Sequence, residues 1–137
     1  MTGAGTQVLV DVDNLDVGRL RMVAAELALA VAAGRALRVV VAGPAARIAA
    51  LPWPAEAVLL DAGGWQRADA ALAAAYLPDD EPLVLVSGDG DFSLLAQQHP
   101  GPVLVVGGAG STSARFRAGA AVVDPVHDGL ERLRAWL

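Results

Sequence analysis

The chain alternates short apolar runs, rich in valine and leucine, with alanine-rich stretches of helical periodicity. Runs of this kind without polar alternation are typical of strands buried on both faces, and strands separated by helices pair in parallel. The pattern therefore predicts an α/β fold, a three-layer sandwich with a mainly parallel central sheet between helices. The predicted strands are QVLVDV (7–12), LRVVVA (37–42), AVLL (57–60), LVLVS (83–87), PVLVV (102–106) and AAVV (120–123).

The predicted helices lie between these strands, and each ends near a glycine or a proline: Val17–Ala33, Trp65–Leu77 and Phe92–Gln98. A last helix over 126–137 is predicted, with Asp124 as its N-cap and Pro125 at its first position. A chain of 137 residues fits one domain, here 1–137 with a core of about 7–125. We expect the strand order 3-2-1-4-5.

Composition excludes several classes of site. The absence of cysteine excludes disulfides and thiolate ligands, and two histidines leave little for a zinc centre, so any metal would be held by oxygen. No apolar stretch approaches the roughly 18 residues of a membrane span, and the N-terminus resembles no targeting signal. We therefore expect a cytoplasmic protein with no membrane partner. The net charge of −5 argues weakly against nucleic acid.

Acidic residues follow the predicted strands where a parallel sheet binds its ligands, at the carboxyl ends. The first strand ends in Asp11, the fourth is followed by Ser87, Asp89 and Asp91, and Asp69 stands near the start of the helix after the third. Four carboxylates in a chain without lysine require a cation if they meet. Oxygen ligands suit Mg²⁺ or Mn²⁺, and such ions support phosphodiester cleavage.

The segment after the fifth strand, 107–113, is rich in glycine, which lets backbone N–H groups approach a phosphate closely. Arginines near the predicted edge either bind phosphate or solvate helix surfaces: Arg67, Arg115 and Arg117.

Simpler structural roles compete with these functional ones. Asp89 and Asp91 suit a turn that starts a helix, and Asp69 suits a helix N-terminus. Asp11 is harder to explain in this way, because an acid at the end of a central strand is costly to bury unless it is used or paired. Trp53, between two prolines, favours a contact in a homodimer over stacking on a base.

Four segments carry a resemblance to a known family: VLVDVDNL, QRADAALAAAYL, LVLVSGDGDFSLL and VLVVGGAGSTSARFRAGAAVVD. In this order and spacing they resemble the NYN domains of the PIN-like nuclease superfamily, over nearly the whole chain. The resemblance implies a PIN-like fold and a metal-dependent (endo)ribonuclease that acts on single-stranded or structured RNA with one or two Mg²⁺ or Mn²⁺ ions.

The resemblance also implies roles for individual residues. Its acidic cluster matches Asp11, Asn14, Asp69, Asp89 and Asp91, and its polar positions match Ser87, Ser111 and Thr112. We expect Asp11, Asp89 and Asp91 to hold the metal. Asp69 would ligate it or position the attacking water, while Asn14 and Ser87 fix ligands or phosphate oxygens.

Other interpretations stay open. Gln66 stands where many NYN domains have a lysine, and Ala75 where many have a second aspartate. A non-catalytic domain that binds RNA or protein is therefore an alternative interpretation. The DVDNL and SGDGDF segments also resemble motifs of haloacid-dehalogenase phosphatases, and Asp61 could be the phosphoacceptor of a receiver domain. Both of these chemistries use a lysine, which this chain lacks.

Overall fold

The computed structural model describes residues 5–63, 67–87, 92–108 and 121–137. Within these residues one six-stranded sheet forms, with all pairs parallel and the order β3-β2-β1-β4-β5-β6. The α/β prediction and the order 3-2-1-4-5 are confirmed, and the sixth strand extends the sheet beyond the fifth. The strands are β1 Thr6–Asp11, β2 Leu37–Gly43, β3 Val58–Asp61, β4 Leu83–Val86, β5 Val103–Val106 and β6 Ala121–Val123.

Helices cover both faces of the sheet and make the outer layers of the sandwich. They are α1 Val17–Ala32, α2 Ala45–Ala49, α3 Arg67–Ala75, α4 Ser93–Gln98 and α5 Glu131–Trp136. Alternate residues of β1 point to opposite faces, so Val8 packs in the core with α1, α2 and α5, whereas Leu9 packs in the core with α3. None of the helices in the described parts of the chain is long and apolar enough to cross a lipid bilayer.

The switch in strand order lies between β1 and β4. From β1 the chain adds β2 and β3 on one side, and it then adds β4, β5 and β6 on the other. Val10 of β1 pairs with Val86 of β4, so Asp11 and Ser87 leave the sheet side by side. This junction at the carboxyl ends of the strands is where open parallel sheets bind ligands.

A buried glutamine in β1 anchors the far end of α3. Gln7 is 1% exposed, its amide Nε2 donates to the Leu77 carbonyl oxygen at 2.8 Å, and its Oε1 accepts from the Leu77 N–H at 2.9 Å. The side chain thus satisfies both backbone groups of Leu77, as a neighbouring strand would. This contact fixes the chain just after α3 against the central strand, and so helps to set where the start of α3 lies.

The C-terminal helix begins at Glu131, so the prediction of a helix over 126–137 was wrong in its start. Asp124 caps a turn instead, because its Oδ1 accepts from the Val126 N–H at 3.0 Å. The same carboxylate binds Arg19 of α1 through two hydrogen bonds, at 2.8 and 3.0 Å. Gly129, with a φ of 82°, ends the turn in a conformation that glycine adopts without strain.

Candidate functional site

Asp11 ends the central strand and is fully buried. The side-chain amide of Asn14 donates to its Oδ2, and the backbone N–H of Asp13 donates to its Oδ1 at 3.2 Å. The Ser87 hydroxyl lies 3.5 Å from Oδ2, which is a long and therefore weak hydrogen bond. These donors hold the carboxylate in one orientation at the junction of β1 and β4.

The turn after β1 explains how Asn14 reaches Asp11. Residues Val12–Asn14 form one turn of 3₁₀-helix, whose three-residue period places the side chain of Asn14 over that of Asp11. Val12 is fully buried and packs beside Gly43 at the end of β2. The local sequence therefore places a hydrogen-bond donor beside Asp11, and Gly43 of the neighbouring strand leaves room for Val12.

The side chain of Asp69, in the first turn of α3, lies close enough to that of Asp11 to influence its pKa. Ionised carboxylates only accept hydrogen bonds, so this contact needs either a proton or a cation between the two groups. Burial raises the pKa of the Asp11 carboxyl, and hydrogen bonds with Asn14 and Asp69 oppose that rise. We call Asp11 and Asp69 the acidic pair.

The raised pKa of Asp11 leads to a pH prediction. In the absence of metal, the folded protein keeps on Asp11 a proton that the unfolded chain releases near pH 3.8, so the folded state binds more protons above that pH. We expect the free energy of unfolding of the wild type, relative to Asp11→Asn, to fall as pH rises through this range. Denaturant titrations of both proteins in EDTA measure the difference. A relative stability that rises with pH would contradict the assignment.

Four predicted site residues come together in the structure: Asp11, Asn14, Asp69 and Ser87. Arg67 begins α3, is exposed, and its Nη1 lies 3.5 Å from the Gly63 carbonyl oxygen. The other predicted residues lie outside the described ranges, namely Asp89, Asp91, Ser111, Thr112, Arg115 and Arg117. Within the described ranges, no three acidic or histidine side chains form a metal-binding group.

An arginine that the sequence did not single out holds the loop after β1. Arg47 of α2 donates from Nη2 to the Leu15 carbonyl oxygen at 3.3 Å, and its Nη1 lies 3.6 Å from the Asp13 carboxylate. Helix α2 was not predicted, because five residues are too few to show helical periodicity. The contact supports the loop that carries Asn14.

Two residues for which the sequence suggested a functional role make hydrogen bonds within the fold. Asp61, the candidate phosphoacceptor of a receiver domain, accepts from the Ala45 N–H at 3.2 Å and so caps the start of α2. Trp53 is half-buried against the core, and its indole N–H donates to the Ile48 carbonyl oxygen at 3.1 Å.

A cleft of about 530 Å³ opens between α3 and α4, and Asp69 is part of its lining. One member of the acidic pair therefore faces a space large enough for a small ligand. Comparison of the chain with protein-family models, with curated proteins and with solved structures found no match. The geometry of the acidic pair and the cleft is therefore the basis for a functional proposal.

Proposed function

We propose that this protein is a divalent-metal-dependent ribonuclease that hydrolyses RNA phosphodiester bonds at the carboxyl ends of β1 and β4. The observation that carries the proposal is the contact between the buried Asp11 carboxyl and the Asp69 carboxyl. A buried carboxylate beside a half-buried one is costly unless a positive charge compensates them. The resemblance of the sequence to NYN domains supports RNA as the substrate.

The chemistry of the donor set fits Mg²⁺ or Mn²⁺. Asp11 and Asp69 offer oxygen ligands, and the sequence supplies two further acids, Asp89 and Asp91, shortly after Ser87. Hard divalent ions prefer such ligands. When bound, an ion of this kind activates water and stabilises a leaving oxygen.

The protein's own side chains have distinct tasks in this proposal. Asn14 and Ser87 orient Asp11 by donating to its Oδ2, which leaves the remaining lone pairs of the carboxylate for a cation. Asp69 faces the cleft and positions the attacking water. Arg67 is exposed two residues earlier on α3 and binds a phosphate oxygen.

Metal binding gives a stability prediction. We expect Mn²⁺ to raise the melting temperature, because only the folded chain brings these ligands together. At a free Mn²⁺ concentration of 100 times Kd, the free energy of unfolding rises by about 2.7 kcal/mol. Asp11→Asn should lose most of this shift. Asp61→Asn is the matched control, because Asp61 also ends a parallel strand and has no contact with the acidic pair in the described residues. Equal shifts in all three proteins, measured by thermal unfolding, would count against the site.

The activity itself is tested with purified protein and end-labelled single-stranded and duplex RNA, in Mg²⁺, Mn²⁺ or EDTA. We expect cleavage only with a divalent ion, and faster on single strands, because few arginines are available to grip a duplex. RNA binding without cleavage under every condition would instead favour the non-catalytic binding domain. A cytoplasmic location and a homodimer stay predictions from the sequence.

A further inference from the structure

The cleft between α3 and α4 continues from the acidic pair along α3. Asp69 in the first turn of α3 and Tyr76 directly after its last residue both line it, and they stand seven positions apart. Two helical turns cover about 10 Å. The cleft therefore extends from Asp69, one member of the acidic pair, to Tyr76, and its volume lies in the range of about 300–1,000 Å³ typical of small-ligand sites.

The opposite wall of the cleft is apolar and exposed. Helix α4 has no fully buried residue, and its Leu94 is 61% exposed beside the cleft. Phe92, just before α4, is 3% exposed and also contributes to the lining. A flat apolar ligand would cover Leu94, and nucleobases pack in this way on apolar and aromatic side chains.

Polar groups stand at the far end of the cleft. The Tyr76 hydroxyl lies 2.7 Å from Nδ1 of His99, and Nε2 of His99 lies 2.7 Å from the Glu81 carbonyl oxygen. Because a carbonyl only accepts, Nε2 carries the hydrogen, and in the neutral imidazole Nδ1 accepts from Tyr76. The Tyr76 oxygen keeps a lone pair for a ligand, and the exposed amide of Gln98 offers both a donor and an acceptor.

We propose that this cleft is a nucleobase-binding site, which holds the base of a nucleotide whose phosphate lies at the acidic pair. This inference rests on the proposed function, which supplies the phosphate and its cation. Leu94 would pack on the face of the base, and the nearly buried Phe92 forms part of the apolar lining. Tyr76 and Gln98 would pair with the edge of the base. A base is favoured over a protein segment because Asp69 belongs to both the cleft and the acidic pair.

The test compares adenosine 5′-monophosphate with ribose 5-phosphate, which has the same sugar phosphate and lacks the base. Both are titrated into the intact protein with Mg²⁺ by calorimetry and by NMR of the ring signals of Tyr76, the only tyrosine of the chain. We expect the nucleotide to bind about tenfold more tightly and to shift the Tyr76 signals. Leu94→Ala should lower only the affinity for the nucleotide, by about threefold to tenfold.

Leu29→Ala is the matched control, since Leu29 is 63% exposed on α1, on the other face of the sheet. Equal affinities for the two probes, or nucleotide binding without a Tyr76 shift, would overturn the proposal. A change of oligomeric mass in Leu94→Ala, with nucleotide affinity unchanged, would overturn it in favour of a protein interface. Because the binding test needs no turnover, a protein that binds the nucleotide and cleaves no RNA would separate the failure of the ribonuclease proposal from that of the base site.

Discussion

We expect Asp11→Asn to lower kcat for metal-dependent RNA cleavage by at least about 100-fold. Mutations of groups that merely orient a metal ligand commonly lower activity or metal affinity by about 10–100-fold. Asp11 is the more buried carboxylate of the acidic pair and is itself a proposed ligand, so its loss should lower activity by at least as much. An amide offers one neutral oxygen in place of two charged ones. Single-turnover cleavage of a labelled single-stranded RNA, in Mn²⁺ and in EDTA, measures the effect.

The control for this experiment is Asp61→Asn, which makes the same chemical change at the end of β3. It should keep near wild-type activity, because Asp61 contacts the start of α2. Circular dichroism shows first that both variants are folded. Equal cleavage by wild type and Asp11→Asn would reveal a contaminating nuclease, and activity that depends on Asp61 alone would contradict the role given to Asp11.

Gly43→Ala should lower the free energy of unfolding by about 2–5 kcal/mol, for two reasons. Gly43 has a φ of 152°, which side-chain-bearing residues rarely adopt, and a Cβ there would clash with Cγ2 of the buried Val12. Because Val12 follows Asp11 directly, a displacement of Val12 should also move Asp11 and weaken the stabilisation by Mn²⁺. Denaturant unfolding with and without the ion measures both effects.

Gly34→Ala separates these two causes. Gly34 follows α1 with a φ of 85°, and a Cβ there would meet nothing within 4 Å. It should therefore show only the conformational cost of about 1–2 kcal/mol, with the Mn²⁺ shift retained. If both variants lose the same stability, the packing of Val12 against Gly43 is not what constrains the turn after β1.

The sheet could be predicted because buried parallel strands are visible in composition. The cores of the central strands, such as Val8–Val10 and Leu83–Val86, are apolar and buried on both faces, and the alanine-rich stretches between strands supply the crossover helices. The edge strand β3 is apolar as well, although Val58 and Leu59 are half-exposed. The predicted strand order is the observed one. Short or irregular elements were less visible, because α2 has too few residues for a period and the turn at Asp124 depends on Arg19 from a distant helix.

The sequence by itself determined the strands and the end of β1 at which Asp11 stands, because apolar runs and strand ends are local properties of the chain. Local spacing also determined that Asn14 reaches Asp11, through a single 3₁₀ turn. The contact between Asp69 and Asp11 was decided only by the tertiary structure. It depends on where α3 lies on the sheet, which packing and the bonds of Gln7 to Leu77 set, and these are interactions between residues far apart in the chain.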